Sequence, residues 1–565
     1  MSSNRTRSHE IIALAAKKAK TLPIAESGLW FHQDLRDNFY YAAHLYEAVN
    51  SKGLTEFIGD KEGRDLACEL FLQVLRLQDR DPSSSTYGHW PLFVEPDPAD
   101  SKPSTLPVEL MGCLIAFLYN KNKEVMPEPL THEMGESLKH IYQSKLYDQG
   151  LENFSHHEAK LTSLKILIAE RFQDEVLLQE GKEQAVTLLR HIRQYGMKEY
   201  GSLPWLWHWI QAFTCVWETT KREDIKLITA EMLEYLWRER ALFYLKGAWA
   251  GPHSRVLPHD VPRDNYNLHD YIQFGDFAAP VSISRLEGSG LFTYQVTDSV
   301  YTLAVNHSAA REVKKSVPAS YLNGIPTESL HIYTYLSEQY ALGGMYEYME
   351  EYLNEQYRWD ISWPLDAVAG YGANQMFFFH PGKGYVEGDV RHPNRYSEIL
   401  LHSNVVCALY VVPDGGIQSL VGCLPLGQWL FEEHLGFGEV GETFVYFQLM
   451  HPFTTLSQED RIAVASTFTG VHSVVIEIMT KADALAIGII TLEEFKAKMS
   501  DQQAGWIEHE RGIAIRSAQV HYTSTSSRKE SFLLEAEVKL ERISSVRRRQ
   551  INNKEIDFEA YGSGL

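Results

Sequence analysis

Residues 246–271 read KGAWAGPHSRVLPHDVPRDNYNLHDY and lie where a helical sequence pattern gives way to a strand pattern. Pro252, Pro258 and Pro262 fix the backbone and remove amide donors, so this stretch cannot run as one regular element. Long loops rich in groups that exchange protons are often functional. We therefore predict a hinge and active-site loop at 249–272. The alternative is a solvated interdomain linker, which the tryptophan and the two tyrosines disfavour.

This loop supplies several candidate site residues. His253, Arg255 and Tyr266 are candidate catalytic residues, and His269 is a candidate for binding substrate. Imidazole, guanidinium and phenol groups can hold a carboxylate or move a proton when their surroundings adjust the pKa. His259 lies in the same loop but outside the GPHSR string, and we expect it to matter less.

The residues before the loop, 1–248, carry apolar side chains at spacings of three and four. This pattern predicts nine helices, at 8–20, 35–51, 63–79, 106–121, 130–146, 156–173, 183–196, 204–219 and 223–244. Successive helices joined by short loops pack as antiparallel hairpins. Because the sequence has no repeat signature of a common solenoid, we predict hairpins curved into an incomplete (α/α) toroid.

After the loop, short runs of β-branched and aromatic residues alternate with turn signals. The predicted strands are at 280–285, 291–297, 299–306, 329–336, 374–380, 403–412, 417–424, 443–449, 472–480, 485–491, 511–522 and 531–541. A dozen strands without regular helices between them indicate antiparallel sheets stacked as a sandwich. We predict a large antiparallel β-sandwich at 273–460 and further strands, forming a C-terminal sheet, at 461–565.

Charge and composition exclude some classes of protein. The formal net charge of −21 argues against nucleic acid as a partner, because phosphate binding needs a basic surface. The sequence has no run of about twenty apolar residues, and its N-terminus lacks the apolar core of a signal peptide, so neither a membrane span nor secretion is expected. Five scattered cysteines predict free thiols in a reducing compartment, and hence a cytoplasmic location.

Three connections between the predicted helices break the core pattern. Residues 86–98 form a Pro-rich aromatic loop, residues 152–157 enter a helix, and residues 200–209 hold three tryptophans and a histidine on more than one helix face. They supply Asn153 and His208 as candidate catalytic residues and Trp90, Trp205 and Trp209 as candidate substrate-binding residues. The alternatives are that Asn153 or Ser155 caps the helix, and that the tryptophans of 205–209 form a large aromatic core in which His208 is bonded internally.

A metal site is weighed in the second half. Residues 380–402 contain His380, Asp389, His392 and His402, and imidazole with carboxylate suits zinc. Their spacing matches no tight motif. We expect no cofactor, and zinc or calcium in the sandwich stays as the alternative to a surface loop with ordinary histidines.

Three strings resemble parts of the toroid-fold polysaccharide lyases, of the hyaluronate/chondroitin lyase and heparinase II/III types. ENFSHHEAKLTSLKILIAERF, at 152–172, is similar to the Asn-bearing helix start of those enzymes. GPHSR, at 251–255, stands where they carry a hinge arginine. HIYTYLSEQYALGGM, at 331–345, looks like a recurrent sandwich segment, with Asn354-Glu355-Gln356 following. The order of helical hairpins, polar hinge and antiparallel sandwich is also theirs.

The resemblance implies β-elimination at a uronic acid of an acidic oligo- or polysaccharide. The C5 proton can be removed only when the neighbouring carboxylate is neutralised, and the leaving glycosidic oxygen needs a proton. Asn153 with His208 or His253 would donate to the carboxylate. Tyr266 or a histidine would act as base and acid, and Arg255 would lower the pKa of the phenol.

Two other functions stay open. A glycoside hydrolase needs two carboxyl groups that face one bond, for which the candidates are Glu95, Glu109, Asp260 and Asp264. A non-enzymatic carbohydrate-binding protein would use the aromatic groups alone. We expect the two halves to meet along a cleft lined by 86–93, 153–157, 205–209 and 253–271.

Overall fold

The structure is a computed structural model that describes residues 3–258, 260–349, 355–368, 370–413, 415–510, 515–525, 529–539 and 545–563. His259 and Asn354 lie outside the described residues. The helices are α1 (Asn4–Thr21), α2 (Leu35–Asn50), α3 (Lys61–Arg76), α4 (Leu106–Asn122), α5 (Glu128–Ser144), α6 (His156–Phe172), α7 (Glu175–Tyr195), α8 (Leu203–Thr219), α9 (Glu223–Leu242), α10 (Leu268–Gln273), α11 (Asp298–Val305), α12 (Lys481–Ala486) and α13 (Leu492–Met499).

The first nine helices form two layers. Helices α4, α6 and α8 pack directly on one another and α2 packs on α4, whereas α1, α3, α5, α7 and α9 lie outside them. The inner helices α4 and α8 are apolar nearly all round and bury almost every residue, as helices in a core must. The outer helices α3, α5 and α7 bury one face only. The predicted incomplete (α/α) toroid and its nine helices are therefore confirmed.

The second half is built from strands. They are β5 (Arg311–Leu322), β6 (Ile325–Leu336), β7 (Ala341–Met345), β8 (Trp359–Ser362), β9 (Gln375–Phe379), β10 (Ser397–His402), β11 (Val405–Val411), β12 (Ser419–Leu424), β13 (Gln428–Phe431), β14 (Leu435–Val440), β15 (Thr443–Leu449), β16 (Thr454–Ser457), β17 (Ile462–Thr467), β18 (Val471–Thr480), β19 (Gly505–Glu510), β20 (Ile515–Thr523), β21 (Ser531–Lys539), β22 (Ser545–Ile551) and β23 (Lys554–Glu555). Four two-residue strands, β1 (Trp90–Pro91) with β2 (Pro103–Ser104) and β3 (Tyr244–Leu245) with β4 (Ala248–Trp249), form small ladders in the first half.

Three antiparallel sheets are stacked. An eight-stranded sheet has the order β16-β17-β12-β9-β8-β7-β6-β5, a six-stranded sheet has the order β10-β11-β18-β15-β14-β13, and a five-stranded sheet runs from β19 to β23. Side chains such as Leu342, Ile361 and Val406 fill the space between the first two sheets. The other face of the six-stranded sheet, with Cys407, packs on the five-stranded sheet through Leu534. The predicted antiparallel sandwich is confirmed.

Some predicted strands are wrong. Residues 280–285 and 291–297 are irregular, 299–306 lies in α11, and 485–491 covers the end of α12 and the turn that follows. In α11 the side chain of Thr297 caps the helix, and Val300 and Ala304, four residues apart, are the buried pair. The alternation of apolar residues there only imitated a strand.

The domain limits stay a prediction. Strands on both sides of residue 460 belong to the same two sheets, because β17 pairs with β12 and β18 pairs with β11 and β15. The helical half and the sandwich also share one core, in which Val317, Leu330 and Ile332 pack among the helices. Among the described residues, no helix has the length and apolar character needed to cross a membrane.

Candidate active site

The N-terminal turns of α4, α6 and α8 meet at one place. Glu109 lies in the first turn of α4, His156 and His157 begin α6, and Trp205 and His208 lie near the start of α8. Ring contacts join these turns, since the ring centroids of His156 are 4.0 Å from His157, 4.9 Å from Trp205 and 5.3 Å from His208. Helix N-termini carry partial positive charge, so the meeting point favours an anion.

His157 is the exposed imidazole of this cluster. Its side chain is 42% exposed, and its Nδ1 lies 2.8 Å from Oε2 of Glu109, which also forms an ion pair with Lys160. Burial alone would raise the pKa of Glu109, but Lys160 and His157 outweigh it and lower the pKa to about 2. An ionised carboxylate only accepts hydrogen bonds, so Nδ1 of His157 carries a proton, and in the neutral imidazole the lone pair is on Nε2. Within the described part of the chain, no hydrogen bond occupies that Nε2.

Arg255 reaches the same cluster from the hinge loop. Its guanidinium lies 5.3 Å from the ring of Trp205, which stacks on His156. The Nε of Arg255 is 3.1 Å from Glu355, and 34% of its side chain is exposed. Trp205 is buried and packs against both Arg255 and His156, so it is not an open platform for a sugar.

His208 is a second imidazole with a fixed tautomer. Its Nε2 lies 3.0 Å from Glu287, whose carboxylate is also paired with Arg285 at 2.9 Å. Burial favours the neutral imidazole and lowers the pKa of His208 to about 3 despite Glu287. Since Arg285 and His208 keep Glu287 ionised, Nε2 is the donor and the buried Nδ1 is unprotonated, with no partner among the described residues.

Tyr266 does not meet the expectation for a tyrosine base. It is 3% exposed, and its hydroxyl interacts with Glu287. Burial and then the negative charge of Glu287 raise the pKa of Tyr266 well above its ordinary value. The expected lowering by Arg255 is therefore wrong, because a carboxylate and not that guanidinium adjoins the phenol.

His253 is a buried clamp between the hinge and the sandwich. Its Nδ1 lies 2.6 Å from Asp360 of β8 and its Nε2 lies 3.2 Å from Asp264, which also accepts from Asn374. Burial would lower the pKa of His253, but Asp360 and Asp264 raise it to about 10. The imidazolium is 3% exposed and has both nitrogens engaged, so the geometry gives it a positioning role and not direct contact with substrate.

The hinge also approaches the start of α8 at one tight point. Gly201 accepts a hydrogen bond of 3.1 Å from the amide of Ser254 and has a φ of +76°. A Cβ on Gly201 would lie 2.6 Å from the carbonyl oxygen of Pro252. Only glycine fits there, and this contact places Arg255 over Trp205.

The other predicted residues are dispersed. Trp90 is fully buried and donates to the carbonyl of Val74, and Trp209 is buried and donates to Glu199. His269 is buried against Trp207 at 4.9 Å. All three side chains are buried, and for Trp209 this agrees with the aromatic-core alternative.

Asn153 stays exposed at the start of α6. The helix cap is Ser155, in a capping box with Glu158, so of the two candidate caps Ser155 is confirmed and Asn153 is not the cap. Glu158 accepts the backbone amide of Asn153 at 2.9 Å. The next residue, Phe154, has a φ of +51° and stacks on His191, which leaves the Asn153 side chain on the solvent side.

Sequence reasoning missed His157 and its partners Glu109 and Lys160. The available signal was the histidine doublet His156-His157 between the two residues of a capping box, Ser155 and Glu158, because a helix N-terminus holds its first side chains in fixed directions. Glu109 was considered only as a hydrolase carboxylate. The sequence does not show that a first-turn carboxylate of α4 faces the first turn of α6.

The hydrolase carboxylates do not form a usable pair. Glu109 is ionised and held by Lys160, so it cannot be the protonated acid. Burial raises the pKa of Asp260 to about 8, but both oxygens of the adjacent Asp264 are already bonded. Glu95 is exposed on the loop before α4.

The four metal candidates of the sandwich do not converge either. His380 binds the carbonyl of Ile417, and His402 lies between Glu312 and Glu530. Among the described residues, no group of three histidine, cysteine or acidic side chains is placed to hold a metal ion.

Comparisons with known proteins find similarity in structure and none in sequence. No family model matches the chain, and no curated protein does. A chondroitinase AC lyase solved with oligosaccharides aligns over 99% of both chains, with 10% identity and a TM-score of 0.41. The chondroitin AC lyase of Streptomyces coelicolor A3, in complex with chondroitin sulphate, aligns over 94% of this chain and 88% of its own, with 8% identity and a TM-score of 0.46.

A heparinase III aligns over 91% of this chain and 84% of its own, with 9% identity and a TM-score of 0.40. Chondroitin lyases and heparinases are among the enzymes that the resemblance named, and the aligned spans take in both halves of this chain. At such identities an activity does not transfer from those enzymes to this chain.

Proposed function

We propose that the protein cleaves a uronic-acid-containing oligo- or polysaccharide by β-elimination. The observation that carries the proposal is the exposed, carboxylate-oriented imidazole of His157, placed with Arg255 where three helix N-termini meet. Elimination needs a base, a group that neutralises the uronate carboxylate and a proton for the leaving oxygen. The cluster offers all three, because His157 can serve as base and then as proton donor and Arg255 can neutralise the carboxylate.

His157 is the base. Glu109 holds the proton on Nδ1, so in the neutral imidazole the lone pair on Nε2 is available to accept a proton, and 42% of the side chain is exposed. Lys160 keeps Glu109 ionised and fixed, which keeps the tautomer of His157 constant through the reaction. The base thus has an orienting carboxylate, and that carboxylate has a fixed cation behind it.

Arg255 binds the uronate carboxylate. Removal of the C5 proton places a second negative charge on that carboxylate group, so a guanidinium fixed over Trp205 stabilises the charge as it develops. The N-terminal turns of α4, α6 and α8 add partial positive charge. Asn153, exposed at the start of α6, is a neutral donor to the same carboxylate.

The proton balance needs no further cofactor group. His157 takes the C5 proton as a C4–C5 double bond forms and the C4–O bond breaks. The resulting imidazolium is the acid available to the leaving glycosidic oxygen, which restores the neutral base. His208 with Glu287 lies behind His156 and supports the cluster from the buried side.

The ligand is an acidic saccharide, although the chain itself is acidic. A net charge of −21 repels such a ligand at long range, so binding must depend on the local cations and helix ends. All five cysteines are free, which supports work in a reducing compartment on short chains already taken up.

Product absorbance tests the proposal. Elimination leaves an unsaturated uronate that absorbs in the near ultraviolet, and hydrolysis leaves none. We expect the wild-type protein to produce this absorbance from at least one of hyaluronan, chondroitin, heparan sulfate, alginate and polygalacturonate, and His157→Gln to lose it. New reducing ends without absorbance would replace elimination by hydrolysis.

A further inference from the structure

A second concave surface lies beside residues 263–267 of the hinge loop. It is a cavity of about 570 Å³ between the hinge, the segment 277–282 and the sandwich loop 365–371, whose residue 369 lies outside the described residues. Asp264, which clamps His253, forms part of its wall. The cavity is therefore joined to the candidate active site through the hinge loop, although none of the candidate catalytic residues lines it.

Two carboxamides line the cavity without protein partners. Asn267 is 4% exposed, and Asn265 is half-buried nearby. Neither side chain makes a hydrogen bond to any residue that the structure describes. Asn267 precedes α10, yet it makes no side-chain capping bond. A buried carboxamide without partners is costly, so this group is placed to bond something that enters the cavity.

An aromatic ring and a fixed cation stand opposite. Tyr371 is 65% exposed, and the guanidinium of Arg263 lies 5.7 Å from its ring. Arg263 donates to the carbonyl of Gly372 at 2.8 Å, which fixes the plane of its guanidinium. A tyrosine ring left largely in water gains little, and sugar C–H faces stack on such rings.

We infer that this cavity is a second saccharide-binding subsite for a pyranose of an acidic oligosaccharide. Asn267 and Asn265 would bond ring hydroxyls, Tyr371 would stack on the sugar face, and Arg263 would pair with a carboxylate. The volume is within the range of pockets that bind small ligands and is sufficient for one or two sugar rings. The inference deepens the proposed function, because it extends the saccharide ligand past the hinge.

The test is equilibrium binding by titration calorimetry with tetrasaccharides of chondroitin, heparosan, alginate and polygalacturonate. The variants are Asn267→Ala and Tyr371→Ala, with Tyr371→Phe as the matched control that keeps the ring. For a tetrasaccharide that the wild type binds, we expect each alanine variant to bind about tenfold more weakly and the phenylalanine variant to bind as the wild type does. Asn267→Ala removes no cap, so its fold should be unaffected.

Several results would overturn the subsite. They are unchanged affinity in both alanine variants, equal loss in Tyr371→Phe and Tyr371→Ala, or no binding of any of the four probes by the folded wild type. The experiment tests the subsite and the proposed function separately. Elimination with unchanged KM in both variants would remove the subsite alone, and weakened binding without product absorbance would remove the elimination alone.

Discussion

Replacing Glu109 by glutamine should separate the role of this carboxylate in folding from its role in orienting His157. Its pKa falls from 4.5 to about 2 in the folded protein, and the side chain is 8% exposed. Each unit of pKa corresponds to about 1.4 kcal/mol, so the ionised carboxylate contributes up to about 3 kcal/mol. Glu109→Gln should lower the free energy of unfolding by that order, because Lys160 is left buried without a counter-charge.

The pH dependence has a definite sign. A lowered pKa means that the contribution of Glu109 is fully present above about pH 4.5 and is lost as the pH falls towards 2. The free energy of unfolding in urea should therefore differ between the wild type and Glu109→Gln by the same amount at pH 7 and at pH 5.5. Below pH 4.5 this difference in free energy should become smaller.

A double variant makes the prediction sharp. Glu109→Gln/Lys160→Met removes the buried charge together with its partner, so most of the lost stability should return. His157 still lacks its carboxylate, so kcat, followed by near-ultraviolet absorbance, should stay lower than wild type by about a hundredfold. Recovery of both stability and kcat in the double variant would refute the orienting role of Glu109 and reduce it to a folding residue.

Four further changes test the site. His157→Gln should lower kcat by about a hundredfold or more with a normal unfolding curve, and turnover within a few-fold of wild type would exclude it as the base. Arg255→Ala should lower kcat by about a hundredfold to a thousandfold, with Arg255→Lys retaining part of it, and an effect on KM alone would leave it a binding residue. His253→Gln should destabilise the fold by about 3 to 5 kcal/mol in urea and should also lower the kcat of the folded fraction, because Arg255 is no longer held in position, and an unchanged kcat would refute the positioning role. Gly201→Ala should lower the unfolding free energy by about 1 to 3 kcal/mol through its positive φ, and an unchanged Tm would contradict the tight contact with Pro252.

The periodic elements could be predicted from sequence because their pattern is local. Helices α4 and α8 are apolar on all faces, begin with Pro107 and Pro204 in the first turn, and are 17 residues long. An apolar run of that length is too long for a typical strand, so a helix is the expected structure. The prediction of a strand at 299–306 was wrong. Val300 and Ala304 are buried as a helical pair, whereas Tyr301 and Leu303 alternate as they would in a strand. Eight residues are too few to distinguish the helical period of 3.6 from the strand period of 2. The side chain of Thr297 caps this segment and so favours the helix.

The candidate site could be located from sequence but not assigned. Clusters of proton-active residues marked the hinge and the starts of α6 and α8, and the structure brings these together. The role of each residue depends on a distant partner. His253 is fixed by Asp360, which is 107 residues away, and His157 is oriented by Glu109, which is 48 residues away. Since the same imidazole is a clamp between two carboxylates and a base beside one, residue type alone cannot assign the role.

The hinge loop contacts the sandwich on one face and the toroid on the other, and this arrangement positions its candidate catalytic residues. Towards the sandwich, His253 binds Asp360 and the backbone of the loop pairs with 355–357, since Tyr357 donates to the carbonyl of His253 at 2.9 Å. Towards the toroid, Arg255 lies over Trp205. A guanidinium can stabilise a developing charge only when its position is fixed before the reaction begins. The buried imidazolium of His253 holds the loop in place two residues from Arg255. A charge that does not contact the substrate therefore fixes the position of the guanidinium that does.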